Sequence, residues 1–224
     1  MQAIRTLGQF VDDEQIVAWI AGAVGEIHQR ASHQARAAGK SLKLAVSCTR
    51  CDATKTCCWS MVVARLYEGV IIADRLRRSG RDTPALRDEL AARAAAMEAA
   101  SPRDWRTPCL FLDARERCTI YDVRPSPCGL LHVYTDPAWC TTRAGEIRGY
   151  VAREELVAAT ELEEQFRDRL ALRRKVGRRY LGVLPRMVLV ALEAWDRTDF
   201  RDYLRQLPWP GDDELARWGA GLAR

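Results

Sequence analysis

Eight cysteines are the residues of this chain whose type and spacing could do chemistry, and all of them fall between positions 48 and 140 of 224. Four form a knot, Cys48, Cys51, Cys57 and Cys58; the others, Cys109, Cys118, Cys128 and Cys140, are spread through a proline-rich stretch. Thiols gathered in one region, and absent from the helical sequence on either side, indicate a site rather than core filling. A C-x2-C step turns two thiolates toward one metal through a tight knuckle whose backbone N–H groups face the sulfurs. Cys57 and Cys58 are adjacent and cannot easily point the same way. They leave open two neighbouring metal positions, a polynuclear cluster, or one ligand beside one supporting thiol. The second group lacks a second knuckle, which counts against a standard zinc ribbon. It also lacks the ferredoxin run of close cysteines ending in C-P.

A chain of this length buries a real core and does not need disulfide staples. The first residues contain no apolar run of the signal-peptide kind, so the cytoplasm is the expected compartment, where clustered cysteines stay reduced and bind metal. The apolar stretch 181–195 is broken by Arg186 and Glu193, and no membrane span is expected. A formal charge of +5 with interleaved signs permits a nucleic-acid partner without arguing for one.

The elements that must position the thiols are helices. Apolar residues Ile16, Ile20, Ala23, Val24, Ile27 and Ala31 recur at three- and four-residue steps, predicting a helix from Asp12 to about Ala38. Asp12 and Gln15 form its expected capping box and Gly39 its end. His28 and His33 read as polar-face residues of this helix. Residues 41–47 read as an extended lead-in to the knot.

A second helix is expected from Cys58 to about Arg78, with Val62, Leu66, Val70 and Ala73 inward, which puts the knot at a helix N-terminus where thiolate is favoured. Ser79-Gly80 stops it. Thr83 and Pro84 start a third helix carrying Leu86, Leu90, Ala94 and Met97 inward, ended by Ser101-Pro102. Pro125 and Pro127 restrict the chain so that Cys128 is presented from an extended turn. His132 reads as a surface residue, with substitution for a cysteine ligand as the alternative.

A long helix from about Glu154 is expected to bury Leu156, Leu162, Phe166, Leu170 and Val176, followed by an apolar one over 184–195. The basic run Arg167, Arg169, Arg173, Arg174, Lys175, Arg178 and Arg179 reads as a solvated face balanced by Glu154, Glu155, Glu161, Glu163 and Glu164. A short capped helix ends the chain, with Trp209 and Trp218 tucked onto the body.

The expected fold class is mainly α, with helices flanking a central irregular cysteine-rich region with little or no strand. It is read as a single domain over 1–224. Within it, 1–40 is an N-terminal helix, 41–140 a cysteine-cluster metal-binding core with an inserted helical hairpin, and 141–224 a C-terminal helical part.

The order of motifs narrows this further. C-x2-C, then C-C, then P-C-x-F-L, then C-x-I-Y-x2-R-P-x2-C resembles the YkgJ-type cysteine-cluster family, a zinc- or iron-chelating domain related to the metal-binding part of flagellin lysine N-methylases. The matching positions are Cys48, Cys51, Cys57 and Cys58; Pro108, Cys109, Phe111 and Leu112; and Cys118, Ile120, Tyr121, Arg124, Pro125 and Cys128. This chain places five residues between the C-x2-C and the C-C, where the family usually has two. It also has Gly129-Leu130-Leu131 where the family tends to carry arginine and an aromatic.

All eight cysteines are therefore candidate metal ligands. Tyr121 and Arg124 are candidates for supporting hydrogen bonds to thiolates, or Arg124 pairs with Asp113 or Asp122. The adjacent pair and the wide loops fit a four-iron, four-sulfide cluster at least as well as two zinc knuckles; zinc stays open. The resemblance also implies an alternative, protein-lysine methyl transfer, although the sequence has no glycine-rich nucleotide loop and no Ser-His-Asp or H-E-x-x-H arrangement. A further alternative is a zinc-stabilised module that uses the basic run on an acidic partner.

Overall fold

The computed structural model describes residues 5–47, 56–102, 104–136, 146, 148–172 and 180–219. Cys48, Cys51 and Cys140 lie outside the described residues, as do Val176 and the basic residues Arg173, Arg174, Lys175, Arg178 and Arg179. The fold is mainly α: nine helices and two small two-stranded sheets among the described residues.

The N-terminus holds two helices where the periodicity predicted one, α1 (Leu7–Asp13) and α2 (Ile16–Ser41). The capping box lies one helix earlier than expected. Thr6 accepts from the Gln9 backbone N–H at 3.2 Å, and the Gln9 side chain accepts from the Thr6 N–H at 3.0 Å. Gln15 takes a left-handed φ of 50° that breaks the two helices apart, and Asp12 binds Arg78 at 2.6 Å instead of capping. Gly39 sits inside α2, where an added Cβ would lie 2.7 Å from the Leu44 carbonyl. The helix closes two residues later, as the Leu44 N–H returns to the Gly39 carbonyl at 2.7 Å.

Two strand–helix units form the centre. Strand β1 (Val63–Arg65) runs directly into α3 (Leu66–Arg78), and β4 (Leu181–Val183) runs directly into α7 (Leu184–Ala194). The strands pair antiparallel, Val63 opposite Val183 and Arg65 opposite Leu181, so the two helices pack side by side. Gly69 makes that approach possible, since a Cβ there would strike the Met187 carbonyl. Helix α3 therefore starts eight residues after Cys58, which corrects the expectation that the knot sits at its N-terminus. Cys57 and Cys58 lie instead in a single 3-10 turn, Thr56–Trp59.

Helix α4 (Pro84–Ala99) forms as predicted, with Thr83 accepting from the Leu86 N–H at 3.2 Å and Pro84 in the first turn. It buries Leu90, Ala94 and Met97. A short helix α5 (Pro127–Leu130) precedes the hairpin of β2 (Leu131–Val133) and β3 (Gly149–Val151). Helix α6 (Arg153–Arg169) follows, then α8 (Phe200–Gln206) and α9 (Asp212–Gly219) after α7.

The buried face of α6 is not the predicted apolar stripe. Leu162, Phe166 and the following Leu170 are buried, but Leu156 is exposed, and Glu155, Glu163 and Arg167 are buried beside them. Glu155 accepts from Arg30 at 2.9 Å, and Glu163 lies 3.5 Å from Arg65. Arg169 stacks on Trp19 at 4.0 Å. The described members of the basic run are thus engaged with the body, and two of the glutamates expected to balance them in solvent are interior.

One cluster of buried residues joins α1, α2, α3, α6, α7 and α8. A second gathers Met61, Ala94, Met97, Trp105, Val183 and Trp218. The C-terminal tryptophans pack as expected: Trp218 is buried, and Trp209 meets Tyr180 edge-on with centroids 4.8 Å apart. No helix among the described residues is long and apolar enough to cross a membrane.

Candidate metal centre

The inserted hairpin of α3 and α4 separates the two cysteine groups by about fifty residues, and the fold closes that gap by one backbone contact: the Cys109 N–H donates to the Cys58 carbonyl at 2.6 Å. Helix α4 holds the same point through Arg93, which donates to the Pro108 carbonyl at 2.9 Å. From there the chain makes a small loop back on itself. Leu112 bridges to Cys118, and Thr119 bonds the Phe111 carbonyl through its N–H at 2.8 Å and its hydroxyl at 2.9 Å. Phe111 and Ile120 are the buried anchors on either side.

Asp113 ties the loop. Its Oδ1 accepts the N–H groups of Arg115 and Arg117, each at 2.8 Å, and Oδ2 accepts from the Arg117 guanidinium. Those bonds, the Arg117 N–H foremost, pull its carboxyl down to about 2. The depressed folded value means the loop's closure is present above the unfolded carboxylate range near 3.9 and is lost as pH falls through about 2. The Asp113 carboxyl resonance followed by NMR is expected to titrate near 2, and a midpoint at or above 3.9 would show the loop open.

Cys128 is presented from the first turn of α5, not from an extended turn, because Pro127 has the φ that starts a helix and lacks the N–H a first turn leaves over. Its platform is buried and polar. Glu68, with 0% exposure, accepts the Ser126 N–H on one oxygen and the Arg65 N–H on the other, both at 2.7 Å. The Tyr67 hydroxyl lies 3.2 Å from that of Ser126. Glu68, Tyr67 and Ser126 were missed in the sequence. Glu68 three residues after Arg65 at a helix start is the N3 position of a cap, which was the available signal.

Of the expected ligands, Cys57, Cys58, Cys109, Cys118 and Cys128 are described, all as free thiols. They lie within one another's electrostatic reach. Interaction between the adjacent thiols draws Cys57 below the ordinary thiol range and pushes Cys58 above it. Burial pushes Cys109 and Cys118 up, and neighbouring thiols add to it in each case; Cys128 is exposed. Arg124 opposes this at Cys57 and Cys118.

Arg124 stacks over the Tyr121 ring at 4.1 Å, and Tyr121 itself is 63% exposed. Asp113 and Asp122, the alternative partners for Arg124, are engaged by Arg117 and Arg75.

Two histidines differ from expectation. His132 is only 9% exposed, because β2 turns it inward opposite Tyr150, and its Nδ1 has no hydrogen-bond partner. His28 is a partly buried residue whose Nε2 is enclosed and also lacks a partner; its ring lies against Gly129, where any Cβ would collide with it. Burial, then the charge of Arg124, holds His28 down to about 4, and the same two causes lower His132. His33 is exposed as expected.

Thiolate with neutral imidazole is a soft donor set that suits zinc or iron rather than magnesium or calcium. Among the described residues, no three Cys, His, Asp or Glu side chains already form a metal-holding group. The chain enters the Cys48–Cys51 segment at Ser47, whose N–H and hydroxyl both bond the Val133 carbonyl at 2.8 Å, one residue beyond His132.

No curated protein and no solved structure matches the chain. Residues 47–155 match a family model, and that span begins at Ser47, takes in all eight cysteines and ends on α6. The matching model, which covers just under half of the chain, is that of the CxxCxxCC family, described as a "putative zinc- or iron-chelating domain".

Proposed function

We propose that this protein holds its metal through cysteine thiolates drawn from both groups, with iron in a four-iron, four-sulfide cluster as the first reading and zinc as the other. The observation that carries it is the 2.6 Å bond from Cys109 to Cys58, which seats a thiol of the second group beside the adjacent pair of the first. Cys57, Cys58, Cys109, Cys118 and Cys128 would hold the metal with Cys48, Cys51 and Cys140. Arg124, stacked on Tyr121, supplies positive charge beside the collected thiolates. A cluster would contribute one-electron chemistry at this site, and zinc would contribute folding energy.

The test is an ultraviolet–visible spectrum with iron, zinc and acid-labile sulfide analysis on protein purified without air and without a histidine tag. The expected result is a brown protein with iron and sulfide in matching amounts. A colourless protein carrying about two zinc ions would replace the cluster by closed structural sites. A protein with neither metal would overturn the proposal.

A further inference from the structure

Buried polar atoms in folded proteins almost always find a partner, so those left without one ask for an explanation. Two such atoms lie on the side of the fold that holds the thiols, the Nε2 of His28 and the Nδ1 of His132. They come from distant elements, α2 and β2, and are brought within electrostatic reach of each other. Both surround the α5 turn that carries Cys128: His28 rests on Gly129, the next residue, and His132 follows four residues on. The charge of Arg124 acts on both rings and also on Cys57 and Cys118.

The local sequence is arranged to admit His28. Gly129 leaves open the space that the ring occupies, and the carbonyls of Pro125 and Ser126 lie beside the ring. Both rings have backbone carbonyls within reach, Pro125 and Ser126 for His28 and Leu130 for His132, the kind of partner that the second nitrogen of a metal-ligating imidazole usually meets. His132 is fixed by the β2–β3 ladder on its own backbone, opposite Tyr150.

We propose that His28 and His132 are nitrogen ligands of the metal centre, next to Cys128, so that the site is of mixed sulfur and nitrogen character. The proposal rests on the reading of this protein as a cysteine metal site and adds donors that the cysteine motifs do not contain. Two nitrogens in place of two sulfurs make the centre less negative, and in an iron–sulfur centre that substitution raises the reduction potential.

X-ray absorption of the full chain as purified, at the edge of whichever of zinc or iron it carries, tests this. The expected spectrum has a nitrogen shell inside the sulfur shell, for zinc at ~2.0–2.1 Å against ~2.3 Å. His28→Gln and His132→Gln are each expected to diminish the nitrogen shell and weaken metal binding by at least ~10-fold. Gly129→Ala, which displaces the His28 ring without removing a donor, is expected to act like His28→Gln. A sulfur-only shell in the unaltered protein would overturn this inference and leave the cysteine site standing. Absence of any bound metal would overturn both. Because the unaltered protein's spectrum decides the matter by itself, the test does not depend on any variant folding.

Discussion

Serine in place of Cys58 or Cys109 is expected to strip most of the metal from the purified protein while leaving its helix content unchanged. A structural zinc site supplies ~10–16 kcal/mol, so one of four ligands accounts for about 3–4 kcal/mol, or ~10²–10³-fold in affinity. The helices should survive because the main core is built from aliphatic and aromatic side chains, with Cys109 and Cys118 only packed against its edge. Metal analysis and far-ultraviolet circular dichroism on the same sample make the comparison. Unchanged metal stoichiometry in both variants would remove these two cysteines from the ligand set. Cys58 and Cys109 are the informative pair because their backbones touch, so each reports on the join between the two groups.

Glu68→Ala carries the next largest effect. The substitution leaves the N–H groups of Ser126 and Arg65 buried without an acceptor, at a cost of about 1–3 kcal/mol each, or about 2–6 kcal/mol together. Glu68→Gln keeps one oxygen and is expected to lose about half as much. Urea unfolding measures the first part of the effect, and metal retention measures the second, since the same carboxylate holds the turn before Cys128. If both variants stay within ~0.5 kcal/mol of the unaltered protein and keep their metal, the Glu68 platform does not hold the site.

The helical class was legible because it rests on local signals. Thr83, Pro84 and the inward row Leu90, Ala94 and Met97 place α4 without any tertiary information. The boundaries that failed were set by distant partners. Helix α3 could not be started from its own periodicity, since Val63 to Arg65 are drawn into a strand by Leu181 to Val183, far along the chain. The break at Gln15 has no glycine to mark it. Instead, the chain turns so that Asp12 reaches Arg78.

The candidate site divides the same way. Its cysteines are visible as letters and spacing, and Phe111 and Ile120 as apolar anchors. His132 looked like a surface residue because a three-residue strand is too short for alternation to declare which face is inward. Glu155 and Glu163 looked like solvated charges and Glu68 went unread, because only the folded chain supplies the N–H groups and arginines that make their burial tolerable.

The antiparallel pairing of β1 with β4 also sets an order of events during synthesis. Every cysteine of the chain emerges before residues 181–194, which provide the strand that pairs with β1 and the helix that covers Gly69 on α3. At ~5–20 residues per second, the interval from Cys140 to Ala194 lasts roughly 3–11 s. Throughout it, all eight thiols are outside the ribosome while the helix beneath Cys128 still lacks its cover, so the nascent chain meets metal and oxidant before its scaffold is finished.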